Sequence, residues 1–220
     1  MGDYLGPYRE MVGRVGAERF ESLLWSSRET QTARFRAIIG MIDLAGRTVI
    51  DAGCGHADFA AALAAEAVPY GAYIGLDAIP EMLNVARARA LPRTEFLAAD
   101  FVADPAALRR AVARGDHRPR PPGTIIVFSG SLNTLEQPAA LPVLERAWQA
   151  CTEALVFNFL CRDPHAPPTP RGRARWEASG PVRKFDAPDM LRWAAERTPL
   201  VAYRQDYLEG ADGTIVMRVR

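Results

Sequence analysis

Apolar positions along the first 46 residues recur at helical spacing. Tyr4, Tyr8, Met11, Val12 and Val15 form one stripe, and Phe20, Leu23 and Leu24 continue after Gly16. Phe35, Ile38, Ile39 and Ile42 stand at i, i+3, i+4 and i+7, which predicts a helix with one buried face. Ser26 or Ser27 is suited to cap it. From residue 47 the period changes. Short apolar runs at 48–50, 73–76, 94–98, 124–128 and 154–159 alternate with helical segments near 57–67, 81–90, 105–114 and around Leu141, Leu144 and Trp148. Pro80 stands where a helix would begin, a position proline favours. The run Thr124 to Phe128 is apolar throughout, as a parallel strand covered on both faces requires. After a helix at 186–196, Leu200–Tyr207 and Thr214–Val219 flank a Gly-rich turn and read as an antiparallel hairpin.

Strand and helix alternating five times predict an α/β fold. The expected architecture is a doubly wound, mostly parallel seven-stranded sheet, with a C-terminal antiparallel hairpin placing an antiparallel strand at one edge, and an N-terminal helical cap. The chain reads as one domain over 1–220. It divides into a helical cap (1–46), a core (47–160), a loop (161–185) and a closing helix and hairpin (186–220). The loop holds five prolines and is rich in arginine.

Composition narrows the setting. The 220 residues are 49% hydrophobic and 24% charged, ordinary for a globular domain. A formal net charge of +1 gives no global field toward DNA or an anionic membrane. Lys184 is the only lysine, so the basic side is almost entirely arginine. No apolar run approaches the roughly 18–20 residues of a membrane span. Cys54, Cys151 and Cys161 show no paired spacing, which speaks against a disulfide framework and suits a reducing cytoplasm. His56, His117 and His165 are isolated from each other and from the cysteines, so no metal site is expected.

The strongest chemical signal is Val49-Ile50-Asp51-Ala52-Gly53-Cys54-Gly55-His56-Ala57, a strand entering a Gly-x-Gly turn that opens a helix. Such a turn lies at the carboxyl edge of the sheet, where ligands bind. Asp77 ends the next strand, where an acid can accept both hydroxyls of a ribose. An adenosine-containing ligand is therefore expected. A dinucleotide wants G-x-G-x-x-G, but Asp58 occupies the third glycine position. Asp51 and Asp58 would repel a pyrophosphate resting on the helix N-terminus. The same acids suit a cation, which places a nicotinamide dehydrogenase last among the readings.

Four motifs in order resemble class I S-adenosylmethionine-dependent methyltransferases. Asp51-Ala-Gly53-Cys-Gly55 is similar to the first motif, and Tyr73-Ile-Gly-Leu-Asp77 with the helix through Arg87 to the second. Phe96-Leu-Ala-Ala-Asp100-Phe101 resembles the third, and Ile125 to Leu132 with Ser129-Gly-Ser-Leu-Asn133 occupies the fourth. The segment Trp25 to Phe35 resembles the lead-in of small bacterial members of unassigned substrate. The resemblance implies S-adenosyl-L-methionine as cofactor and S-adenosyl-L-homocysteine as product. It implies Gly53 and Gly55 under the methionine part, Asp51 on the ammonium, Asp77 on the ribose, and Ala78 and Ile79 beside the adenine. It implies Asp100 on the adenine amino group with Phe101 nearby, Ser129 close to the sulfonium, and Arg34 at the carboxylate. Gln31 or Trp25 would line the entrance. Three departures stand out. Ala57 replaces a third glycine, and as a small, helix-favouring residue it is expected to matter little. Gly123-Thr124 lacks the acid often found at the start of the fourth strand. No Asn-Pro-Pro-Tyr follows that strand, so the signature of amino-methylation on DNA bases or glutamine is missing.

Asn133, His165 and Trp176 are the substrate-side candidates, with Glu136 near the same cleft; no catalytic base is assigned. The expected acceptor is a small molecule. The arginine-rich loop 161–185 keeps RNA or protein methylation open, and a non-catalytic binding protein is the remaining alternative.

Overall fold

The computed structural model describes residues 2–115, 123–162 and 182–220. The N-terminal region holds α1 (Gly6–Val15), a 3-10 turn (Phe20–Leu23) and α2 (Arg28–Met41). Ser27, rather than Ser26, caps α2 by accepting the N–H of Thr30 at 3.2 Å. The alternating region then runs β1 (Thr48–Ala52), α3 (Asp58–Ala65), β2 (Ala72–Asp77), α4 (Pro80–Ala88), β3 (Thr94–Ala98), α5 (Ala107–Gly115), β4 (Thr124–Phe128), α6 (Gln137–Ala150) and β5 (Ala154–Leu160). Helix α7 (Ala187–Ala195) and strands β6 (Val201–Arg204) and β7 (Asp212–Arg218) close the chain.

The seven strands form one sheet in the order β3-β2-β1-β4-β5-β7-β6. Strands β1 to β5 pair in parallel, and β7 runs antiparallel to both β5 and β6. The hairpin therefore departs from the expected arrangement: its antiparallel strand lies one place in from the edge. Burial explains the order. Strand β7 is buried from Asp212 to Met217, whereas β6 is only half-buried and can face solvent.

The period-2 alternation of the strands separates two cores. Ile50, Ile74, Ile126 and Phe128 face α5, α6 and α7, packing with Leu108, Leu144 and Met190. Val49, Tyr73, Ile125, Val127 and Val156 face the other way, onto Phe35, Ile38, Phe59 and Leu63 of α2 and α3. Chain order reverses direction across the sheet between β1 and β4. Beyond the carboxyl ends of two such strands the connecting loops diverge and leave a crevice, which is where ligands bind in this kind of sheet.

Candidate functional site

Two loops build the crevice. After β1 the chain turns at Gly53, whose φ is +83°; a Cβ there would collide with the side chain of Ser131. After β4 the chain turns at Gly130, with φ +75°, and a Cβ there would come within 2.8 Å of the Trp25 indole. Both positions need a residue that tolerates positive φ and close approach. Ser131 ties the loops together by donating to the Ala52 carbonyl at 2.5 Å. Asn158 on β5 adds a second tie, accepting the Gly130 N–H at 2.8 Å and donating to Ser129 Oγ at 3.3 Å.

The cleft encloses about 1330 Å³, part of it open to solvent. Asp51, Gly53, Gly55, Asp77, Ala78, Ile79, Asp100, Phe101, Ser129, Arg34 and Asn133 all border it, as do Trp25 and Gln31. The structure thus brings every described sequence candidate except Glu136 to one wall system. His165 and Trp176 lie outside the described residues. Glu136 does not border the cleft; it is exposed and pairs with Arg183 at 2.5 Å.

Asp51 is 3% exposed, and burial pushes its carboxyl up to about 7 against the opposing effect of the Tyr73 hydroxyl that donates to it. Asp77 and Asp58 raise it further. Asp77 is also raised by burial, while the N–H groups of Ile79 and Gly55, each 2.9 Å from one of its oxygens, hold it down. Asp100 serves as a turn cap: its Oδ1 accepts from Val102 at 3.0 Å and from Ala103 at 2.9 Å. Its Oδ2 accepts the Tyr4 hydroxyl at 2.6 Å. Phe101 does two jobs, bordering the cleft and packing edge-on against Phe128 in the core.

Two sequence arguments change. Asp58 is not a bare charge at the helix start, because Arg89 lies 2.5 Å from it and Gln31 donates to it at 2.9 Å. The negative character of the cleft rests instead on Asp51, Asp77 and Asp100. Ala57, expected to matter little, adopts φ +59° and ψ 36° as the residue before α3. That is the left-handed conformation, where its Cβ carries a cost that glycine avoids. Arg34 borders the cleft, but its Nε and Nη2 are spent on Asp212, at 2.5 and 2.9 Å. Its guanidinium also sits 4.8 Å from the centre of the Trp25 ring.

Sequence reasoning expected an N-terminal helical cap but missed which of its first 24 residues roof the cleft. Tyr4, Leu5 and Tyr8 of the α1 region border the cleft, and Leu23 and Leu24 continue the cover. Tyr8 lies beside Thr134 and Asp77, and burial pushes its hydroxyl up to about 12. The two tyrosines, four apart on one stripe, were the available signal, and they read equally well as core. Of the loop 161–185, the described C-terminal end lies at the cleft: Val182 borders it, and Arg183 N–H donates to the Asn133 carbonyl at 2.7 Å. Among the described residues no cluster of His, Cys, Asp and Glu is arranged to hold a metal ion.

A family profile described as a methyltransferase domain matches residues 43–106, from the loop before β1 to the loop before α5. No curated protein sequence matches the chain. Among solved structures, the pyocyanin biosynthetic protein PhzM aligns with a TM-score of 0.65 at 18% identity, covering 97% of this chain and 62% of that one. Magnesium protoporphyrin IX methyltransferase from Synechocystis PCC 6803, solved with bound S-adenosylhomocysteine, aligns with a TM-score of 0.62 at 13% identity, covering 99% and 100%. Human N-acetylserotonin methyltransferase in complex with S-adenosylmethionine gives 0.64 at 14% identity, covering 99% and 62%. The chain thus spans less than two thirds of PhzM and of the human enzyme. The seven-stranded fold described above is the fold of these methyltransferases.

Proposed function

We propose that this protein is an S-adenosyl-L-methionine-dependent methyltransferase acting on a small-molecule acceptor. The observation that carries the reading is the placement of three carboxylates, Asp51, Asp77 and Asp100, around one crevice at the ends of β1, β2 and β3, with the cleft's own arginine already paired. A pyrophosphate would meet these acids unfavourably, whereas an ammonium and a sulfonium suit them. The profile match over 43–106 and the fold shared with methyltransferases support the same reading.

In this reading Asp77 holds the ribose hydroxyls, with Ala78 and Ile79 beside the adenine, Asp100 at its amino group and Phe101 nearby. Gly53 and Gly55 leave space for the methionine part. Asp51 faces the ammonium, Arg34 Nη1 the carboxylate, and Ser129 lies near the sulfonium. When bound, the cofactor supplies an activated methyl group. The chain's part is alignment and exclusion of water. Trp25 and Leu23 seat the cover on the glycine turns, and Tyr4 and Tyr8 close it over Asp100 and Thr134. The acceptor enters beside Asn133. The small-molecule assignment draws on neighbours whose names give such substrates, including mitomycin 7-O-methyltransferase and N-acetylserotonin methyltransferase. Three buried, free cysteines suit work in a reducing compartment such as the cytoplasm, and no described helix is long and apolar enough to cross a membrane.

Isothermal titration with S-adenosylmethionine, S-adenosylhomocysteine and NAD, on wild type and Asp77→Ala, tests this. Binding of both adenosyl ligands, lost in the variant and absent for NAD, is the expected result. Folded protein that binds neither adenosyl ligand would overturn the reading.

A further inference from the structure

Asn133 is 7% exposed and borders the cleft, yet its Oδ1 has no hydrogen-bond partner. Buried polar atoms in folded proteins are nearly always paired, and an orphan is costly. The other unpartnered buried side-chain atoms among the described residues belong to Thr48, Thr124 and Arg146, and none of these borders the cleft. Among the described residues, Asn133 is the one that both carries such an atom and borders the cleft.

The residue is held there. Its N–H donates to the Gly130 carbonyl at 3.3 Å, and its carbonyl accepts from Arg183 at 2.7 Å. The first bond anchors it to the turn after β4; the second fastens it to the far end of the loop that follows β5. The walls near this position are flat or apolar. Tyr8 and Thr134 line the cleft here, Trp25 lies on Gly130, and Leu160 and Val182 complete the side formed by β5 and the returning chain. Among the described residues the side-chain charges beside this position are paired, Arg183 with Glu136 and Arg34 with Asp212, and none of the carboxylates that border the cleft belongs to β5 or to the turn after β4. The acidic residues of the cleft sit on the β1, β2 and β3 loops instead.

We infer that the acceptor subsite takes a flat, uncharged, largely apolar molecule whose O–H or N–H donates to Asn133 Oδ1. An amide oxygen is not a base, so this contact fixes position and leaves the donated proton on the acceptor. The inference deepens the methyltransferase reading and rests on it for the word acceptor; the subsite itself is read from Asn133 and its surroundings.

Titration of the full chain with three naphthalene probes tests it, each with and without saturating S-adenosylhomocysteine. 2-Naphthol carries a neutral donor, 2-methoxynaphthalene lacks it, and 2-naphthoate is an anion. Wild type is expected to bind 2-naphthol about tenfold more tightly than its methyl ether, with the naphthoate weakest. Asn133→Leu should bind the two neutral probes equally, and Asn133→Asp, which keeps an acceptor oxygen in either protonation state, should keep the preference. Should Asn133→Leu fail to fold, the wild-type comparison and Asn133→Asp carry the test. Equal binding of naphthol and ether by wild type, tightest binding of the naphthoate, no binding of either neutral probe, or a preference surviving in Asn133→Leu would each overturn the inference. Failure of S-adenosylhomocysteine to bind, with the naphthol preference intact, would count against the cofactor reading alone.

Discussion

Arg34 on α2 and Asp212 on β7, 178 positions apart, form a two-point ion pair with both side chains buried. The pair fastens the N-terminal cover to the closing hairpin. Burial raises the Asp212 carboxyl, and Arg34 opposes that rise. Such a pair adds little over apolar packing, but breaking it leaves one charge buried without its partner. Asp212→Ala is therefore expected to lower the unfolding free energy by about 3 to 5 kcal/mol, read from urea denaturation. The double variant Arg34→Met, Asp212→Leu should recover most of the loss. If Asp212→Ala costs under about 1 kcal/mol, as an exposed pair would, the pair does not anchor the cover.

Ala57 pays for a conformation that glycine would adopt freely. Its φ of +59° is left-handed, at a cost of roughly 1 to 2 kcal/mol for a residue with a Cβ. Glycine also gains unfolded-chain entropy, which offsets part of the benefit. Ala57→Gly is expected to raise stability by about 0.5 to 1 kcal/mol, measured as a shift in the denaturation midpoint with unchanged slope. A loss of stability would mean that the Ala57 methyl, which is fully buried, contributes more packing than its backbone costs.

Asp51 gives the protein a pH dependence of definite sign. Its carboxyl rises from 3.8 to about 7 on folding, so between those values the folded state holds the proton more tightly. Stability attributable to this group is then greatest at the acid end and falls as pH rises toward 7. Asp51→Asn should flatten that slope in denaturation curves taken from pH 4 to 8. Ligand binding runs the other way. A ligand ammonium favours the ionised carboxylate, so S-adenosylhomocysteine affinity should increase as pH rises through 7 and level off above it. An affinity flat from pH 5.5 to 8 would remove Asp51 from contact with the ammonium.

The strands, the helices between them and the glycine turn were legible because their signals are local: period 2, period 3.6, and glycine next to an acid. Asp51, Gly53, Asp77 and Asp100 could be placed from sequence because each ends or follows a strand, and parallel strands bring their carboxyl ends together. What stayed hidden depends on contacts between distant segments. Nothing near Asp58 in sequence announces Arg89, and nothing near Arg34 announces Asp212. The inward place of β7 follows from its burial relative to β6, a difference that two short apolar runs do not display. Ala57 misled because helix propensity describes residues inside a helix, whereas this one stands just before it. Tyr4 and Tyr8 gave no sign of a cavity, because a cavity roof and a core face share one pattern.

Tyr4 is the point at which that roof is latched. Its hydroxyl donates to Asp100 Oδ2 at 2.6 Å, while Asp100 Oδ1 already serves two backbone N–H groups. The hydroxyl therefore stands on the oxygen of Asp100 that remains for a ligand, and it tethers the chain entering α1 to the loop after β3. A hydrogen bond to a charged group contributes about 1.5 to 3 kcal/mol when shielded, and less here because the pair is only partly buried. Tyr4→Phe keeps the ring on the cavity wall and removes the tether. It should raise both the association and the dissociation rate constants of S-adenosylhomocysteine several-fold, seen by stopped-flow tryptophan fluorescence, with the equilibrium affinity changing less than either rate. Asp100→Asn, which still offers an oxygen to the hydroxyl, should speed association less than Tyr4→Phe does. Unchanged rates in Tyr4→Phe would mean that the N-terminal segment does not gate the cleft, and that its closure rests on Leu23 and Trp25 packed against the glycine turns.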